Sequence, residues 1–91
     1  MFIKNNPIRP GAAQKVTYAG ASVQSAATNA KTVLLTSTTD CHVLVGANPT
    51  AAATDTFLPA KTPWLFSCAS TDLVAVIQDA AGGSLYITPA V

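Results

Sequence analysis

Glutamate is absent from this 91-residue chain, and aspartate occurs only four times, at Asp40, Asp55, Asp72 and Asp79. With five basic side chains beside them, charged residues make up 10% of the composition, against about 25% in an ordinary globular domain. A folded monomer of 9.3 kDa exposes roughly 5,000 Å², which so few charges cover thinly. Part of that surface is therefore expected to be covered by other protein. The net charge of +1 and the wide spacing of Lys4, Arg9, Lys15, Lys31 and Lys61 argue against a clustered cationic patch. Neither nucleic acid nor an anionic membrane is expected as a partner.

Long apolar runs are missing too. No stretch approaches the ~18 residues that span a bilayer, and Met1-Phe2-Ile3-Lys4-Asn5-Asn6-Pro7 has no apolar h-region. A chain made in the cytosol is then expected to stay there unless something exports it. Cys41 and Cys68 are too few for a disulfide framework or a zinc ribbon, and both sit in strand-like runs, where buried free thiols are expected. A single histidine, His42, leaves one position for general-base chemistry.

What is present is β-strand pattern, densest from Asp40 to Val91. Residues 1–14, with two prolines, two asparagines and Gly11, have no sustained period and read as an extended N-terminal arm. Phe2, Ile3 and Ile8 are its large apolar anchors, and Arg9 its second cation after Lys4. Residues 15–91 read as a single β-domain, most clearly over 32–91. Lys15-Val16-Thr17-Tyr18 and Ser22-Val23-Gln24-Ser25 alternate weakly around Ala19-Gly20-Ala21, as a short hairpin or one bent strand would. Residues 26–30 read as a loop.

Thr32 to Ser37 and Cys41 to Gly46 are rich in β-branched and aliphatic residues, and Thr38-Thr39-Asp40 between them predicts an antiparallel hairpin. Thr56-Phe57-Leu58-Pro59 is a short strand that Pro59 confines to an edge or end. Trp64 to Cys68 forms an aromatic strand, and a final hairpin is expected between Leu73–Gln78 and Ser84–Thr88 through Asp79-Ala80-Ala81-Gly82-Gly83, with the glycines at positive φ. Six or more short strands at this spacing predict an all-β fold, a small antiparallel β-sandwich or a jelly-roll-like barrel. Period-two alternation sets Leu34, Leu44, Leu65, Val74 and Val76 opposite the side expected to be buried first. Strands apolar on both faces need a second cover.

Chemistry is hard to assemble from this inventory. Cys41 and His42 are strand neighbours and point to opposite faces, which leaves Cys68 with His42 as the conceivable nucleophile and base. The four aspartates fall in turns, where backbone amides are their expected partners, and no zinc or calcium ligand spacing is present. Gly82-Gly83 lacks the lysine and helix of a phosphate loop. Trp64, with Phe57, Phe66 and Tyr86, offers core packing, an apolar anchor at a subunit contact or a sugar-stacking platform. No catalytic, cofactor-binding or metal-binding residue is expected, and the chain reads as a non-enzyme.

Cys41-His42-Val43-Leu44-Val45-Gly46-Ala47-Asn48-Pro49-Thr50-Ala51, then Phe57-Leu58-Pro59-Ala60, Val74-Ala75-Val76-Ile77 and Gly83-Ser84-Leu85-Tyr86-Ile87-Thr88-Pro89 resemble small tailed-bacteriophage virion accessory proteins of the capsid decoration, cement or fibre-base type. The resemblance spans residues 32–91 and lies in turn and strand spacing. It implies a compact β-domain resident in the virion and docked on the major capsid protein or another virion protein, commonly as a homo-oligomer. Tail, neck or fibre-base service is the nearest alternative, and a carbohydrate-binding module a more distant one. The residues expected to meet partners are Phe2, Ile3, Ile8 and Arg9 in the arm, with Leu34, Leu44, Leu65, Val74 and Val76 in the strands.

Overall fold

Eight strands pair as one long hairpin that has been rolled up. The computed structural model describes residues 10–90. In chain order the strands are β1 (Gln14–Tyr18), β2 (Val23–Gln24), β3 (Thr32–Ser37), β4 (Cys41–Gly46), β5 (Thr56–Leu58), β6 (Trp64–Ser67), β7 (Leu73–Gln78) and β8 (Gly83–Pro89). β1 pairs with β8, β2 with β7, β3 with β6 and β4 with β5, all antiparallel. Pairing of β8 with β3 and of β7 with β4 then closes two four-stranded sheets, β1-β8-β3-β6 and β2-β7-β4-β5. This strand order is a jelly roll, within the all-β sandwich class that the strand pattern predicts.

The two expected hairpins are not hairpins. β3 lies in the first sheet and β4 in the second, and β7 and β8 are divided in the same way. Alternation and turn composition reveal a strand and its end, but a three-residue turn such as Thr38-Thr39-Asp40 can carry the chain across the sandwich as readily as back along the same sheet. The single connection within a sheet, among the described strands, is the long one from β4 to β5. The segment around Ala19-Gly20-Ala21 is likewise no hairpin, because β1 and β2 belong to different sheets.

The core lies between the sheets. Val33, Leu35, Leu85 and Ile87 from the first sheet meet Cys41, Val43, Val74 and Val76 from the second, with Leu58 and Tyr18 in the same cluster. Each such aliphatic side chain removed from water contributes on the order of 1.5–3 kcal/mol before entropy is counted. Val74 and Val76 are fully buried in the core here, which corrects their expected place opposite the side buried first, where a partner would cover them. Both faces of β7 are apolar, so alternation could not say which one faced inward; the register with β4 does, pairing Val76 with core Val43 and Val74 with Val45.

Two of the aspartates do the expected turn chemistry. Ala52-Ala53-Thr54-Asp55 and Ala69-Ser70-Thr71-Asp72 form the same turn: the carboxylate accepts from the alanine N–H at 2.7 and 2.9 Å, and the aspartate N–H donates back to the alanine carbonyl at 2.9 Å in each. Asp40 departs from that expectation, accepting from the distant N–H of Ala60 at 2.8 Å. Gly82 and Gly83 have ordinary negative φ, and positive φ falls instead on Asn29 and Lys61. The two glycines answer a different need. A Cβ on Gly82 would stand 2.9 Å from the Tyr18 carbonyl, and one on Gly83 2.5 Å from Thr39 Oγ1.

Candidate functional site

The outer face of the first sheet brings together two of the sequence-predicted contact residues, Leu34 and Leu65. Register places Lys15 beside Tyr86 and Tyr86 beside Thr36 in one row, and Thr88, Leu34 and Leu65 in the next. Thr17, Ser84, Thr32 and Ser67 complete the outward set. The face therefore carries a small apolar centre, Leu34 with Leu65 and Tyr86, inside a frame of hydroxyls. Lys15 is its cation, and no carboxylate lies on it. Tyr86 is 40% exposed, whereas Leu34 and Leu65 are half-buried by their neighbours.

The outer side of the second sheet is built differently. His42, Leu44, Phe57, Ala75 and Ile77 point outward, with His42 flanked in register by Phe57 and Ile77. Much of this apolar surface is covered by the chain itself. The β4–β5 loop is tied to β2, since Gln24 Nε2 donates to Asn48 Oδ1 at 2.9 Å and to the Pro49 carbonyl at 2.6 Å, and Ala51 N–H donates to Ser22 Oγ at 2.9 Å. β7 lies between β2 and β4, so these bonds reach across it, and Ala75 has no exposed surface although it points outward. The second cover that two-faced strands demand is thus partly an internal loop. Sequence reasoning missed it because Ala47 to Asp55 has the composition of a plain surface loop.

Two apolar side chains escape that cover, Leu44 at 38% exposure and Phe57 at 48%. Leu44, expected in the same set as Leu34 and Leu65, is therefore on the opposite side of the molecule from them. Phe2, Ile3, Ile8 and Arg9 lie outside the described residues.

His42 sits beside Phe57, ring centroids 5.5 Å apart, and is 8% exposed. Its Nε2 is 2.9 Å from Asp79 Oδ1 and its Nδ1 is 3.1 Å from the Asp55 carbonyl oxygen. The bond to Asp79, then the bond to the Asp55 carbonyl, raise its pKa above the ordinary value, against the opposing effect of burial. The sequence predicted turn chemistry for Asp79; the structure gives its carboxylate to the histidine.

The other candidate constellations do not assemble. Cys68 follows β6 in the first sheet and donates to the Ala30 carbonyl at 3.1 Å, while His42 points outward from the second sheet, so the sandwich separates thiol from imidazole. Cys41 and Cys68 are both free, at opposite ends of the fold. Burial pushes the Cys41 thiol up, partly offset by the Ser37 and Tyr18 hydroxyls beside it. Trp64 and Tyr86 pair with adjacent residues of β3, Leu35 and Thr36, so they point to opposite sides of the first sheet. Phe57 belongs to the second sheet, and the exposed aromatics do not form one platform. Among the described residues no group of three or more His, Cys or Asp side chains could hold a metal ion.

An open recess at one end of the sandwich is lined by Thr38, Thr39, Asp40, Ala60, Lys61, Asp79, Ala80 and Ala81. Its hydroxyls and carboxylates already serve the fold. Thr38 Oγ1 accepts from Ser84 N–H, Thr39 Oγ1 meets Tyr18 Oη and the Ala81 carbonyl, and the two carboxylates hold Ala60 and His42. No family model matches the chain, and no curated protein and no solved structure matches it either.

Proposed function

We propose that this protein is a non-enzymatic bacteriophage virion component, a capsid decoration or cement protein that self-associates and binds the major capsid protein. The observation that carries the reading is the outer face of the first sheet: Leu34, Leu65 and Tyr86 in a hydroxyl frame, free of carboxylates, on a chain with only 10% charged residues. Such a face meets a protein surface with apolar contact at its centre and hydrogen bonds around it. The jelly-roll order supports the reading at the level of analogy, because the same architecture serves viral capsid proteins but also lectins and cupins.

The mechanism is mass action. A subunit that binds the assembled shell and not its free components stabilises the shell by its binding free energy, with no chemistry required. Cryo-microscopy and quantitative protein staining of purified virions test this. Regular copies across the capsid lattice are expected, a single ring of copies at the neck or tail would move the protein to that location, and absence from particles would overturn the reading.

A further inference from the structure

Apart from Lys61, which lines the end recess with Asp40 and Asp79, charge among the described residues is divided between the two sides of the sandwich. Asp40, Asp55, Asp72 and Asp79, the chain's full set of carboxylates, all adjoin strands of the second sheet: Asp40 precedes β4, Asp55 precedes β5, Asp72 precedes β7 and Asp79 follows it. The first sheet has Lys15 on its outer face and Lys31 immediately before β3. Each side also shows one exposed aromatic beside its charge. Tyr86 is the register partner of Lys15, and Phe57 packs on the His42 ring that Asp79 and Asp55 hold.

We propose that the first-sheet face of one copy, around Lys15, Leu34, Leu65 and Tyr86, docks on the second-sheet side of another copy, around Leu44, Phe57, Asp55 and Asp79, to form a head-to-tail stack. Three pairings are open to a self-associating sandwich, and charge selects among them. Second side on second side confronts two net negative surfaces, since the four carboxylates outnumber the His42 imidazolium and Lys61, and first face on first face confronts Lys15 with Lys15. Head-to-tail sets cation against carboxylate and tyrosine against phenylalanine, and like-charge juxtaposition is the stronger filter on wrong pairings. Because the two surfaces lie on opposite sides of one sandwich, the contact is heterologous and repeats along the sheet-stacking direction instead of closing as a twofold dimer. Strands about 4.8 Å apart, rising about 3.3 Å per residue, give a planar footprint of roughly 350 Å² for the first sheet and roughly 270 Å² for the second, whose edge strands are short, well below a standard interface of about 800 Å² per partner. The stack is therefore weak in dilute solution and forms at high local concentration. This deepens the self-association proposed above and stands without its capsid part.

Sedimentation velocity of the full chain from about 10 μM to 1 mM, a range suited to weak contacts, tests it with two variants, Lys15→Asp/Tyr86→Asp on the first sheet and Leu44→Asp/Phe57→Asp on the second. All four positions are exposed, and far-ultraviolet circular dichroism with a thermal melt confirms that each variant folds. Wild type should show a mean mass that rises steadily with concentration. Each variant alone should remain monomeric, and their equimolar mixture should form a 1:1 dimer and stop there, because each supplies the one surface the other retains. Raising the salt from 50 to 500 mM should weaken wild-type association. A monomeric wild type, a dimer formed by either variant alone, or association unchanged or strengthened by salt would each overturn the stack. A monomeric wild type still found on virions would leave the capsid reading in place, and a stacking protein absent from virions would leave the stack in place.

Discussion

Nε2 of His42 stands 2.9 Å from Oδ1 of Asp79, and both ring nitrogens of this histidine face groups that can only accept. A neutral imidazole has one N–H and would leave either the Asp79 carboxylate or the Asp55 carbonyl without its donor. The imidazolium fills both. The two N–H groups of the imidazolium thus tie β4 to the residue before β5 and to the residue after β7, beneath Phe57 and beside Ile77.

Stability should consequently fall as pH rises through the neutral range. The folded-state pKa of His42 is raised above its ordinary 6.5, first by Asp79 and then by the Asp55 carbonyl, so the folded state holds the proton more tightly than the unfolded chain. The sign follows from linkage: the contribution is complete below pH 6.5 and disappears as pH climbs through the folded-state value. Urea unfolding between pH 5.5 and 9 should show this decline. Asp79→Asn should flatten it and cost about 0.5–1 kcal/mol at pH 6, the scale of a partly exposed ion pair. A His42 titration by NMR with a midpoint at or below 6.5 would contradict the geometry.

The side of the sheet that faces inward can be read by truncation. Val76→Ala should cost about 2 kcal/mol, because Val76 is fully buried against Val43 and neighbouring core residues and the cavity adds to the lost transfer energy. Leu44→Ala, at a position 38% exposed, should change stability by no more than about 1 kcal/mol. Equal losses at the two positions would mean that the outer loop buries Leu44 as firmly as the core buries Val76. Chemical denaturation of both variants decides it.

Strand existence was legible in the sequence and strand partnership was not. Thr32 to Ser37, Cys41 to Gly46 and Leu73 to Gln78 were marked by their β-branched runs, and each matches a strand. Which strands share a sheet depends on contacts between residues far apart in the chain, such as Leu35 with Ile87, and no local pattern encodes those. The outward face of the first sheet could be anticipated only in part. Leu34 and Leu65 were singled out by alternation, but Lys15 and Tyr86 join them through the pairing of β1 with β8. The bonds from Ser22 and Gln24 to the β4–β5 loop left no signal, because alanine, asparagine and proline at 47–51 describe any loop.

The two thiols should differ in reactivity. Cys41 is completely buried and its pKa is raised by desolvation, so little thiolate forms and none is reachable. In native protein at pH 8, an aromatic disulfide reagent should leave Cys41 unmodified until the chain unfolds, while half-buried Cys68 reacts first. Mass spectrometry after limited labelling assigns the site. Early modification of Cys41 would place the start of β4 outside the core.

Tyr18 and Gly83 should behave as one unit. The Tyr18 hydroxyl, on a side chain only 2% exposed, donates to the Thr39 carbonyl at 2.9 Å and meets Thr39 Oγ1 at 2.7 Å. A Cβ at Gly83 would stand 3.0 Å from that hydroxyl and 2.5–2.6 Å from the Thr39 and Thr38 hydroxyls. Tyr18→Phe strands the Thr39 carbonyl and should cost about 1–2 kcal/mol. Gly83→Ala forces the two threonines aside and should cost about 1–3 kcal/mol. The double variant should lose less than the sum, because once the hydroxyl is gone the threonines have less to hold them in the new methyl's path. A double-mutant cycle by urea unfolding reads this coupling directly, with at least about 0.5 kcal/mol expected for residues in one network. Strict additivity would show that the β1–β8 and β3–β4 ends are fastened independently.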